Sequence, residues 1–104
     1  MTRIAERFRL KPGKKEEYKK RHDEIWPEMI QLMRKAGIKN YSIWNAGDDL
    51  FGYFEVDDYS HLVNVMENSD IKKKWDEYMA DIIEVDIDPE TKLSKNMELM
   101  FLFE

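Results

Sequence analysis

"IKNYSIWNAGDDLFGYFEV", residues 38–56, decides the fold. Its halves, 38–45 and 50–56, alternate with the two-residue period of strands, and the "AGDD" between them is a tight-turn signal. The stretch therefore predicts an antiparallel hairpin. On its first strand Ile38 and Trp44 point one way and Tyr41 and Ile43 the other; on its second, Leu50, Phe54 and Val56 oppose Phe51 and Tyr53. A hairpin with one wet face would be polar on that face, and this one carries large apolar groups on both.

Upstream of the hairpin, "RIAERFRL" (3–10) alternates as a strand, with Ile4, Phe8 and Leu10 against Arg3, Arg7 and Arg9. Glu6 interrupts the apolar face. It reads as an exposed strand end or a hydrogen-bonded pocket, the commoner case, or as a carboxylate aimed into a site. "KPG" (11–13) marks a turn, and residues 14–36 read as a helix. Tyr18, His22, Ile25, Met29, Leu32, Met33 and Ala36 form its apolar stripe, while Lys14, Lys15, Glu16, Lys19, Lys20, Asp23 and Glu24 face solvent. Pro27 cannot donate to the carbonyl of Asp23, so the helix should kink or divide there. Gly37 is placed for the C-cap.

Downstream, a helix begins at Asp57 or Asp58 and is broken by "ENSD" (67–70). Ser69 or Asp70 can cap a further helix to about residue 84. "DIDPETKLS" (86–94) is a polar loop, and "NMELMFLF" (96–103) predicts a fourth strand, with Met97, Leu99, Phe101 and Phe103 opposing Met100 and Leu102. The order β-α-β-β-α-β is the ferredoxin-like arrangement, an α+β fold with an antiparallel sheet. Without repeats, linkers or low-complexity segments, residues 1–104 read as one domain. Both helices should lie on one sheet face. The other, apolar and uncovered, implies a homodimer with sheets facing each other, a ligand cleft, or both.

Composition narrows the chemistry. The 104 residues carry a net charge of -5, which argues against a nucleic-acid partner. With no cysteine, disulfides, thiol catalysis and thiolate metal sites are excluded, and a reducing cytoplasm fits. His22 and His61, the 2 histidines, lack metal-ligand spacing, so no metal is expected. There is no phosphate loop, nucleophile elbow or dinucleotide fingerprint. No apolar run reaches the roughly 20 residues of a membrane span, and the N-terminus lacks a signal peptide's apolar core.

One constellation remains. Tyr18 and His22, four apart, are neighbours on a helix face, next to Trp26 and Pro27. A lone histidine on an apolar stripe is more often structural than catalytic. The pairing with tyrosine, in a helix otherwise written in Lys and Glu, raises the functional reading. Tyr41, Tyr53, Trp75 and Tyr78 can converge on the same place. Aromatic walls with hydroxyl or imidazole tips suit a sugar ring, but aromatics at helical spacing more often fill the core that a small domain needs.

"EEYKKRHDEIWPEM" (16–29) followed by "AGIKNYSIW" (36–44) resembles the L-rhamnose mutarotase family, in its Y-x-x-x-R-H-x-x-I-W-P-E segment and its N-Y-x-I strand. The likeness runs through "LFGYFEV" and resumes at "KKKWDEYM" and the closing strand. It implies a dimeric α+β barrel and cofactor-free exchange of the α and β anomers of a deoxyhexose, L-rhamnose or a relative. His22 matches the proton-donor histidine, Tyr18 and Tyr41 match sugar-binding tyrosines, and Trp75 matches the first residue of a sugar-binding Trp-Trp pair. The second Trp is Asp76 here, which replaces stacking with a hydroxyl acceptor and favours a more polar sugar. "DPETKLSKN" stands where the family has N-S-P-V-S. Both departures fall where substrate is shaped. The second proton carrier stays open among Asp76, Glu6, a tyrosine and water. The alternatives on the same fold are a cofactor-independent monooxygenase and a non-catalytic ligand-binding barrel.

Overall fold

The computed structural model describes residues 1–104. The hairpin is its centre: β2 (Lys39–Ala46) and β3 (Asp49–Val56) join through Gly47, whose φ of 60° lies in the left-handed region that tight hairpin turns require. β3 pairs on its other side with β1 (Thr2–Leu10), antiparallel, and β1 pairs with the short β4 (Ile83–Val85). The sheet order β2-β3-β1-β4, antiparallel throughout, is the ferredoxin-like topology.

Each crossover consists of two helices. The first is α1 (Lys15–Asp23) and α2 (Pro27–Lys35). Pro27 divides the helix: it is the first residue of α2, and Trp26 before it is extended, at ψ 137°. A residue preceding proline is pushed to that conformation, and a proline at a helix start sacrifices no hydrogen bond. Gly37, at φ 81°, ends α2 in a Schellman motif: its N–H donates to the Arg34 carbonyl and that of Ile38 to Met33, at 3.0 Å each. The second crossover is α3 (Tyr59–Glu67) and α4 (Asp70–Met79). Asp58 caps α3 by accepting from the His61 amide, and Ser69 caps α4 by accepting from Lys72. α4 stops at Met79, short of residue 84, because Ile83–Val85 leaves to pair with β1.

The predicted fourth strand at 96–103 does not form. Residues 97–104 have no regular structure, and Met100, Phe101 and Phe103 are exposed. The segment touches β1 through a single bridge, Glu6 to Asn96, through the Met97 amide on the Ala5 carbonyl, and through Arg3, which donates to Glu104 at 3.4 Å. Its alternation is real, but neither face is buried, and a strand with no buried face has no fixed register.

All helices lie on one face of the sheet, over two apolar cores. Phe8, Leu10, Tyr18, Met29, Leu50, Trp75, Met79 and Ile82 form one; Ile4, Ala36, Phe54, Val56, Leu62 and Met66 form the other. Register explains the division. Ile4 pairs with Phe54 and Phe8 with Leu50, but between them Glu6 pairs with Gly52. A carboxylate and a glycine thus occupy the seam on the helix side of the sheet. On the opposite face Trp44 is 69% exposed.

Candidate active site

A cavity of about 850 Å³ opens between α1, α4 and the sheet, with mostly apolar walls and a few polar groups, in the size range of small-molecule sites. A smaller cleft of about 340 Å³, among Arg7, Arg9, Asp86 and Lys95, holds none of the aromatic or imidazole groups considered above.

His22 and Tyr18 project from consecutive turns of α1 into the larger cavity. Their rings stack at 4.3 Å, and Trp75 of α4 meets His22 edge-on at 5.5 Å. The Nδ1 atom of His22 lies 3.2 Å from the carbonyl oxygen of Tyr18. A carbonyl only accepts, so Nδ1 carries the hydrogen and the neutral ring keeps its lone pair on Nε2. Burial pulls the imidazole below its ordinary 6.5, against the opposing pull of the Tyr18 carbonyl and of Asp23. His22 is therefore neutral at pH 7 and available as a base.

From the sheet side come Glu6 of β1 and Tyr41 of β2. The Tyr41 hydroxyl donates to Glu6 Oε1 at 3.3 Å. The Tyr41 residue as a whole is 38% exposed, yet burial of its hydroxyl end, with Glu6 beside it, pushes the phenol well above 10. Burial also holds the Tyr18 phenol high, with the charge of Glu6 adding to the effect. Burial raises the Glu6 carboxyl itself, opposed by Tyr41, Ser94 and Lys72. Both tyrosines thus stay protonated and serve as hydroxyl donors.

α4 supplies the rim. Lys72 Nζ holds both carboxylate oxygens of Asp76 at 2.6 Å, so Asp76 enters the site as half of an ion pair. The loop after β4 completes the rim with Ile87, Lys92, Leu93 and Ser94.

The structure thus brings Tyr18, His22, Tyr41, Trp75 and Asp76 to one cavity, but not every aromatic singled out from the sequence. Tyr53, expected among the converging aromatics, points instead to the outer face, where its hydroxyl donates to Glu55, because it alternates with Phe54, which faces the helices. Tyr78 is 41% exposed behind the wall, tilted against Trp26 at 5.2 Å and lying under the Arg21 guanidinium. His61 contacts the Lys35 carbonyl at the end of α2.

Three residues gain roles that spacing did not assign. Trp26 meets Trp75 edge-on at 5.1 Å and backs the wall. Lys72 orients Asp76; its only signal was the four-residue separation. Arg21 reaches from α1 to Asp81 at 2.9 and 3.3 Å and to the Tyr78 carbonyl, fastening the helix that carries His22 to the end of α4.

Comparison with known proteins agrees with this geometry. A family model described as L-rhamnose mutarotase matches residues 3–103. An L-rhamnose mutarotase of Listeria monocytogenes serovar 1/2a is 47% identical over 85 residues, covering 80% of this chain and 81% of its own. That of Burkholderia ambifaria is 38% identical and covers 100% of both chains. The crystal structure of an L-rhamnose mutarotase from Formosa agariphila superposes with a TM-score of 0.81 at 34% identity, over 100% of both chains. A tetracenomycin F2 cyclase from Streptomyces glaucescens, at TM-score 0.73 and 13% identity, shares the fold alone. The chain belongs to the L-rhamnose mutarotase family.

Proposed function

We propose that the chain interconverts the α and β anomers of L-rhamnose or a related deoxyhexose by acid/base ring opening in the cavity beside His22. The observation that carries this reading is the bond from His22 Nδ1–H to the Tyr18 carbonyl, which leaves Nε2 as the one free ring nitrogen in a sugar-sized aromatic cavity.

Anomer exchange moves two protons. The anomeric hydroxyl loses one as the carbonyl forms, and the ring oxygen gains one as its bond to C1 breaks. Rotation about C1–C2 then presents the other carbonyl face, and the steps reverse. A group that takes a proton in one direction must return it in the other, so its pKa has to lie near the working pH, as an imidazole's does. Trp75 offers its face or edge to the C–H patches of the ring, while Tyr18 and Tyr41 donate to its hydroxyls. Phe8, Leu10, Met29 and Met79 give the cavity an apolar floor that suits the methyl group of a 6-deoxy sugar. Asp76, tied to Lys72, offers a polar rim where hydroxyls can be read.

Saturation-transfer NMR of L-rhamnose and its relatives measures the exchange. His22→Ala should lower the rate by about 100-fold or more while the fold persists. The reading fails if the wild-type protein accelerates no sugar tested. We also propose a homodimer in which a second copy covers the outer sheet face; the exposed Trp44 and the apolar residues 97–103 support it. No helix is long and apolar enough to cross a membrane, and a cytoplasmic location accords with the absence of cysteine.

A further inference from the structure

We propose that Glu6 is the second proton carrier of the reaction, reaching the sugar from the sheet side as His22 reaches it from the helix side. The proposal rests on the mutarotase reading of the cavity.

Glu6 stands on the apolar, helix-facing side of β1, between Ile4 and Phe8, and lines the same cavity as His22. Such a position disfavours the charged carboxylate unless hydrogen bonds or a partner charge offset its burial, and so favours a carboxyl that exchanges its proton readily. Its surroundings are those of a proton-exchanging group rather than of a structural ion pair. Tyr41 donates to Oε1 at 3.3 Å. The Ser94 hydroxyl approaches the same carboxyl. Lys72, the cation acting on it, is already held at 2.6 Å by Asp76. From α1, Tyr18 is the near neighbour, and it stacks on His22. Across the sheet, Gly52 leaves the space the carboxyl occupies: a Cβ there would lie 3.1 Å from Glu6 Cγ and 3.2 Å from Oε1.

The proton count closes with these two groups alone. In opening, neutral His22 takes the proton of the anomeric hydroxyl at Nε2. The O–H pair becomes the C=O bond, and the C1–O5 pair leaves with O5, which takes the proton of the Glu6 carboxylic acid. Imidazolium and carboxylate remain. Closing on the other carbonyl face returns both protons and restores both groups, with no oxidation or reduction. The mirror assignment, imidazolium donating and carboxylate accepting, uses the same total of one proton over the pair. The active enzyme is that one-proton form, so a second proton or the loss of the first stops it. The rate should therefore be bell-shaped in pH. The limbs belong to the His22–Glu6 pair, and the groups that face it are Asp23 and Tyr18 on α1, Tyr41 on β2, Ser94 in the loop after β4, and Lys72 with Asp76 on α4.

Glu6→Gln keeps the shape and an acceptor for Tyr41 but moves no proton. Its exchange rate at saturating sugar should fall about 100-fold or more while sugar affinity stays within about threefold, and its pH profile should keep a single limb. Glu6→Asp should recover part of the rate. An active wild type with Glu6→Gln exchanging within about threefold of it, and with both limbs intact, overturns the assignment to Glu6 and leaves the mutarotase reading standing. A wild type that exchanges no sugar overturns both. Should Glu6→Gln not fold, the wild-type profile decides: two limbs support the pair, and one limb overturns it.

Discussion

An alanine methyl at position 52 would stand 3.1 Å from the Cγ of Glu6, tighter than side chains normally approach. The backbone there is ordinary strand, so alanine would by itself be favoured over glycine by about 0.5–1 kcal/mol. The collision opposes that gain. Gly52→Ala should therefore leave stability within about 1 kcal/mol of the wild type while displacing the carboxyl and lowering anomer exchange about tenfold or more. Paired with Glu6→Ala, the same substitution should become stabilising, with a coupling of about 0.5–3 kcal/mol between neighbouring sites in urea titrations. Of this site, Tyr18 and His22 were legible from helical spacing, and Glu6 was visible as a break in an alternating strand. What spacing could not supply was its partner. The pairing of Glu6 with Gly52 depends on the register between β1 and β3, strands separated by a crossover. Likewise, which ring nitrogen of His22 is left free follows from where one carbonyl lies, which no sequence pattern states.

At the scale of elements, the division of the first crossover at Pro27 sets the cavity. α1 ends at Asp23 and α2 restarts at Pro27, so the chain between them swings Trp26 across to Trp75. Proline at the first helical position presets its own φ and lowers the freedom of the unfolded chain. Pro27→Ala should cost about 0.4–1 kcal/mol, read as a lower urea midpoint with an unchanged slope. Proline chemistry is local, which is why this boundary could be read from the sequence. The closing strand could not. "NMELMFLF" has the stronger β pattern, but the edge of β1 takes the three residues Ile83–Val85, delivered to it directly by the turn after α4. Pattern strength reports what a segment can bury; connection length decides which segment arrives. The core residues of β1, β3 and the first crossover were legible as periodic stripes; those of the second crossover, Leu62, Met66 and Met79, and the division of the core at Glu6 and Gly52 were not.

For the molecule as a whole, the unresolved balance is apolar surface. Trp44 and the residues from Leu99 to Phe103 lie open to water, while the two apolar cores are packed beneath the helices. Patches of this kind mark association sites. Sedimentation should give twice the chain mass, and Trp44→Asp should shift the protein toward monomer by placing an unpaired charge in that face. The apolar outer face was legible in the hairpin; the irregular path of residues 97–104 was not, because an alternating pattern alone does not say whether the segment finds a strand edge to pair with. The rim of the sheet points the same way. β2 is an outermost strand, and its pairing to β3 slips between Lys39 and Ser42, where Asn40 takes a φ of 52° and donates to Glu55 at 2.6 Å. A strand bent in this way offers no straight row of donors and acceptors for another strand to extend. The irregularity is a safeguard against edge-to-edge growth at β2, and it suits the proposed dimer, in which two copies meet by their broad faces and stop at two.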